Sequence, residues 1–123
     1  MRNISFALTR EQIRNRTKTV TRRNGWRALK PGTLLQGVLK SQGLKRGEKI
    51  TKLAVIRVVD TSQEPLNRMT DDVRYGIAEC VKEGFAYHPT LRFPSEFVKF
   101  FCASHKGCAP ETEVTRIEFE FVD

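Results

Sequence analysis

Near the C-terminus, Ile117, Phe119 and Phe121 alternate with Arg116, Glu118 and Glu120. Side chains on a strand point to opposite faces in turn, so this pattern predicts a half-buried antiparallel strand, one face on a core and one in water. A strand of that kind needs partners, and the sequence offers several. Leu53 to Val59 is apolar on both faces except for Arg57, as suits a central strand. Leu34 to Leu39 follows the Pro31-Gly32 turn as another, and Asn3 to Ala7 reads as a short first strand. The β-branched Thr19, Val20 and Thr21 favour extended chain from about Lys18 onward. These strands are expected in one sheet.

Helices fall between them. Thr9-Arg10-Glu11-Gln12 has the Thr-x-x-Gln form of a capping box ahead of a helix from about Arg10 to Arg16. Thr70-Asp71-Asp72 supplies an N-cap and first-turn acids for a second helix, with Val73, Ile77, Cys80 and Val81 at helical spacing up to Gly84. Pro94-Ser95-Glu96 opens a third, on which Phe97, Phe100 and Phe101 form an apolar stripe before Gly107. Ser41 to Lys49, with Gly43 and Gly47, reads as a polar loop. The resulting order of elements is of the α+β class. At 123 residues the chain fits a single domain, residues 1–123, with one modest core.

The longest aliphatic run, Leu53-Ala54-Val55-Ile56, stops at Arg57, far short of the roughly 20 apolar residues of a membrane span. Arg2 is followed by neither an apolar export segment nor a small-residue cleavage site, so the cytoplasm is the expected location. Cys80, Cys102 and Cys108 are odd in number and few, and are expected to be free thiols. The net charge of +8 is concentrated. Between Arg10 and Lys30, Arg10, Arg14, Arg16, Lys18, Arg22, Arg23, Arg27 and Lys30 stand against one acid, Glu11. Such a segment attracts polyanions by releasing their counterions, and RNA is an expected partner, with Arg10, Arg14, Arg16, Arg27 and Lys30 as candidate phosphate contacts. A solvated face balanced by the acidic C-terminal strand fits the same composition.

The stretch Arg16-Thr17-Lys18-Thr19-Val20-Thr21-Arg22-Arg23-Asn24-Gly25-Trp26 resembles the ASCH signature, Gly-x-Lys-x-x-Glu-x-Arg with a tryptophan soon after. Lys18, Arg23 and Trp26 match; Arg16 stands for the glycine and Thr21 for the glutamate. Small stand-alone bacterial ASCH enzymes that remove an acetyl group from the exocyclic amine of cytidine are similar in carrying Lys-Thr-x-Thr-x-Arg here. Their catalytic glutamate falls on Glu83 of Glu83-Gly84-Phe85, and Val114 to Phe119 looks like the family's closing strand. The nearest likeness is to small ASCH proteins of phages and prophages. The resemblance implies a PUA-like β-barrel of about five to six mostly antiparallel strands with two to three helices. It also implies a pocket for an RNA base or modified nucleoside, catalytic Lys18, Thr21 and Glu83, ligand contacts from Arg22, Arg23 and Trp26, and no cofactor.

The chemistry sets its own conditions. On a continuous strand residues 18 and 21 point to opposite faces, so Lys18 and Thr21 converge only across a bend, which the helix-to-strand change at Lys18 supplies. A threonine nucleophile needs a base within hydrogen-bond reach, and lysine serves only with its pKa well below about 10.4. Arg22 and Arg23 push Lys18 that way, whereas Glu83 favours the ammonium and could instead relay a proton to the leaving amine. An ordinary Lys18–Glu83 ion pair with Thr21 packed in the sheet is the plain alternative. Trp26 either stacks on a base or caps the barrel. Cys102, His105 and Cys108 offer soft ligands at a spacing that matches no standard zinc knuckle, and no metal is expected. Beside amidohydrolysis, a non-catalytic RNA-binding module and a ribonuclease using His88 or His105 remain open.

Overall fold

In the computed structural model, which describes residues 1–122, the longest element is β4, Lys52–Pro65. It lies at the middle of a single five-stranded sheet in the order β1-β3-β4-β5-β2, with β1 Arg2–Ser5, β2 Val20–Arg23, β3 Leu34–Val38 and β5 Glu113–Val122. The sheet curls into a half-barrel and the class is α+β. The β3–β4, β4–β5 and β5–β2 pairs are antiparallel, but β1 runs parallel to β3, so the sheet is mixed. A register shift between Val58 and Asp60 bends β4, as the extra residue of a bulge does.

The bend separates two hydrophobic clusters. Ile4, Leu35, Ile56, Ile117 and Phe119 from the sheet form the first together with Ile13 of α1 (Arg10–Arg14). Leu66, Met69, Cys80, Phe97, Phe101 and Val114 form the second, beneath α2 (Arg68–Asp71), α3 (Val73–Lys82) and α4 (Pro94–Ser104). The C-terminal alternation is as predicted, with Ile117 and Phe119 buried and Glu120 exposed. Leu53 to Val59 lies within the central strand, which runs on to Pro65.

The helices depart from the sequence pattern in informative ways. Of the stripe expected on α3, only Cys80 faces inward, while Val73, Ile77 and Val81 are exposed. Gly76 and Glu79 are buried instead, because Glu79 meets two arginines inside the fold and Gly76 lies against α2. The N-cap comes from the expected Thr70-Asp71-Asp72 stretch, but it is Asp72, whose side chain accepts from Tyr75 N; Thr70 and Asp71 belong to α2, and the first turn of α3 carries no acid. A Cβ at Gly76 would stand 1.9 Å from the Met69 carbonyl oxygen, which is backbone and cannot swing aside. Gly76→Ala is therefore expected to cost about 2–3 kcal/mol through forced separation of α2 and α3, measurable as a lower urea midpoint. A loss under about 0.5 kcal/mol would show that the two helices are not held this close.

Helix α1, Arg10–Arg14, is shorter than its pattern suggested, and the Thr9 side chain makes no capping bond. The helix ends in a Schellman turn: Arg16 N donates to Ile13 O at 3.2 Å and Thr17 N to Gln12 O at 2.9 Å, with Arg16 at φ +62°. That left-handed conformation is the one glycine adopts freely, and Arg16 holds it here.

Candidate functional site

The Schellman turn delivers the chain into β2. Lys18 N bonds back to Gln12 O at 3.2 Å, and Thr19 N then bonds to Lys82 O at 2.9 Å, fixing the start of β2 against the end of α3. Directly after α3 comes the turn Glu83-Gly84-Phe85, with Gly84 at φ +99°. A Cβ on Gly84 would lie 3.4 Å from Lys18 Cβ, so this turn sits close upon the lysine. Lys18 Nζ accordingly donates to the Glu83 main-chain oxygen at 2.7 Å and to Glu83 Oε1 at 3.0 Å. Both side chains are buried. The ammonium also lies 6.0 Å from the Phe6 ring and 5.7 Å from the Phe85 ring, one from each side of the divide between the two clusters.

Along β2, Thr21 and Arg23 share a face, and Arg23 Nε donates to Thr21 Oγ at 3.0 Å. Arg23 Nη2 donates to the Ser5 carbonyl at 2.6 Å. Lys18, Thr21, Arg23 and Glu83 thus line one cleft of about 240 Å³, walled on the apolar side by Phe6, Phe85, Phe97, Phe100 and Phe101. A larger groove, about 670 Å³, runs past Gln12, Val81 and Tyr87, but no buried charge lines it. Convergent polar groups, rather than volume, single out the smaller cleft.

Arg22 points from the opposite face of β2 and is wholly enclosed. Its Nη2 donates to Glu64 Oε1 at 2.7 Å and to Glu79 Oε1 at 2.6 Å, and its Nη1 to Glu83 Oε2 at 3.1 Å. Arg116 braces Glu79 from β5, and Tyr75 OH donates to Glu64 at 2.8 Å. The network reaches the cleft through Glu83, whose two oxygens divide between Lys18 and Arg22. Arg22 also contributes to the lining of the cleft, and its four hydrogen bonds brace Glu83 from behind.

Electrostatics follow from this layout. Burial pushes the Lys18 ammonium below the ordinary lysine value, opposed by the charge and hydrogen bond of Glu83 and assisted by Arg23 and Arg22. Burial would lower Arg22 as well, but Glu83, Glu79 and Glu64 together raise it. Burial opposes ionisation of Glu79, yet its bonds to Arg116 and Arg22 prevail and hold it at about 2.

The remaining expected contacts disperse. Arg10 is exposed on α1, Arg14 pairs with Glu11 at 3.0 Å, Arg27 pairs with Glu113 at 2.9 Å, and Arg16 lies over the Phe121 ring. Lys30 and Trp26 border a separate surface groove. With Lys18 and Arg22 turned inward, the basic segment presents less charge to solvent than its composition suggests. His105 lines the cleft, stacked on Phe101, whereas His88 Nδ1 accepts from Leu91 N at 3.0 Å in a turn. Cys102 and Cys108 place their sulfurs 3.6 Å apart, and among the described residues no group of three or more His, Cys, Asp or Glu is arranged to hold a metal ion. No described helix is long and apolar enough to cross a membrane. Sequence reasoning missed Glu64, Tyr75 and Glu79 altogether, because their buried partners come from distant strands.

No family model matches this sequence, and no curated protein matches it. Among solved structures, the fold is similar to the crystal structure of protein EF3133 from Enterococcus faecalis V583, described under the family model DUF984. The TM-score is 0.59 at 20% identity, covering 93% of this chain and 66% of that one. The likeness is one of fold.

Proposed function

We propose that the cleft belongs to an ASCH-like amidohydrolase that removes an acyl group from the exocyclic amine of a modified cytidine. The observation that carries this reading is the meeting of a threonine hydroxyl, a fully buried lysine and a glutamate in one phenylalanine-walled cleft of about 240 Å³. The rings suit a nucleobase, and the polar groups suit the bond to be broken.

Each group then has a task. Arg23 Nε occupies a lone pair of Thr21 Oγ, leaving the hydroxyl proton free to be given up. Thr21 Oγ attacks the acyl carbonyl carbon as neutral Lys18 accepts its proton. The proton passes from Lys18 to Glu83, 3.0 Å away, and on to the amine nitrogen as the C–N bond breaks. Water hydrolyses the resulting threonine ester, releasing the carboxylate. Because Lys18 must be neutral to begin, the rate should climb with pH and level off below the ordinary lysine value of 10.5.

The test is turnover of N4-acetylcytidine beside a panel of other acylated nucleosides, with Thr21→Ala and Thr21→Ser compared. Thr21→Ala is expected to lower kcat by at least about 10²-fold with the fold intact, and Thr21→Ser to retain part of the activity. Unchanged turnover in Thr21→Ala would move the nucleophile's role to a water activated by Lys18. Absence of turnover on every acylated nucleoside and on the corresponding nucleotides would leave the same cleft as the base pocket of a non-catalytic RNA-binding module.

A further inference from the structure

Arg23 and Ser5 border two clefts at once. One is the cleft just described; the other, about 420 Å³, opens on the far side of Arg23 between β1 and the start of the loop after β3. Arg2, Arg23 and Lys40 line it together with Ser5, Trp26 and Gln42, and among the described residues no carboxylate contributes to its wall. Arg2 and Arg23 bring no carboxylate to this polar hollow, and Lys40 is paired only with Glu48 outside its wall, so an anion entering there would relieve their mutual repulsion.

The side chains are held for that task in different ways. Trp26, at φ +56° after Gly25 at φ +78°, is turned so that the Arg2 guanidinium carbon lies over its ring, 3.6 Å from the centroid. This cation–π contact orders Arg2 without using its N–H donors. Arg23 is fixed through Nε to Thr21 and through Nη2 to Ser5, and its Nη1 makes no hydrogen bond to the protein among the described residues. Lys40 is the least committed, paired with Glu48 at 2.9 Å across the loop.

We propose that this second cleft binds the phosphate of a nucleotide whose base occupies the first, so that the substrate is a phosphorylated nucleoside rather than a free one. The inference rests on the nucleoside reading of the first cleft. Arg23 is the link: one edge holds the Thr21 oxygen, and its remaining nitrogen faces the anion. Recognition by fixed guanidinium groups suits a phosphate monoester or diester, and the same chemistry serves a mononucleotide or the backbone of an RNA strand.

The protein has a single tryptophan, and it lies in this cleft, so intrinsic fluorescence reports the site directly. Cytidine, cytidine 3′-monophosphate, cytidine 5′-monophosphate and a short oligocytidylate are titrated against wild type and against Arg2→Gln/Lys40→Gln, with affinities repeated by calorimetry. A phosphorylated ligand is expected to bind at least about tenfold more tightly than cytidine, and the double variant to lose that preference while its melting transition is retained. An oligomer that outbinds both monophosphates with a steeper salt dependence identifies a strand as the source; parity identifies the mononucleotide. Equal affinity for cytidine and its phosphates, or a preference that survives in the double variant, overturns the proposal. Hydrolysis is scored separately. If neither acylated cytidine nor its 3′- or 5′-monophosphate is turned over but the phosphate preference holds, the enzyme reading falls and the phosphate site stands.

Discussion

Arg22→Met is expected to lower the unfolding free energy by about 3–5 kcal/mol, because it strips one partner from each of three buried carboxylates at once. Glu64 would retain Arg68, Glu79 would retain Arg116 and Glu83 would retain Lys18. None of the three could regain water, however, since all are buried. Arg22→Lys keeps the charge but loses the fork that reaches two carboxylates through one nitrogen and a third through the other, so a smaller loss is expected. The network also predicts an acid transition. Glu79 is held at about 2 in the folded protein against an ordinary 4.5, so its contribution, on the order of 3 kcal/mol, is present above pH 4.5 and lost as pH falls toward 2. In Arg22→Met that acid limb should move upward, because the folded-state carboxylate has lost a cation. Urea unfolding of both variants between pH 3 and pH 7 checks these expectations; a loss below about 1 kcal/mol in Arg22→Met would show that the arginine and its acids merely offset one another.

This network also explains what could and could not be read from the residues alone. The strands were legible because period-two alternation at Ile117, Phe119 and Phe121, and the aliphatic run at Leu53 to Ile56, report burial directly. The bend at Lys18 was legible because β-branched residues follow a short helix. Helix α3 was misread because apolar spacing at Val73, Ile77 and Val81 imitates a buried face. The inward face is set instead by Glu79, whose partners Arg22 and Arg116 come from two different strands, 57 and 37 residues away in sequence. An acid's burial depends on cations that only the fold brings to it, and no local pattern encodes that. The same holds for the basic segment. Its density suggested an outward surface, yet Lys18 and Arg22 account for part of it as interior counter-charges. The parallel β1–β3 pair was likewise invisible, since side-chain alternation fixes which face is buried and leaves the strand's direction open.

Glu83→Gln separates a Glu83 that carries the proton from one that only pairs with a catalytic Lys18, because the two predict different changes in one pH–rate curve. Lys18 is held by the Glu83 main-chain oxygen at 2.7 Å as well as by the carboxylate at 3.0 Å, and the first contact survives the substitution. The lysine should therefore keep its place while losing the neighbouring negative charge. Burial, already the dominant influence on Lys18, then meets less opposition, and Arg23 and Arg22 remain to repel a proton. The limb of the profile that reports Lys18 is expected to move to lower pH in either reading. The plateau differs. If Glu83 carries the proton to the leaving amine, glutamine cannot, and kcat at the plateau should fall by about 10²–10⁴. If Glu83 only pairs with Lys18, more of the lysine is neutral at pH 7, so turnover there should hold or rise and the plateau should stay within a few-fold of wild type. A shifted limb with an unchanged plateau would thus remove Glu83 from the proton path while retaining Lys18 as the base.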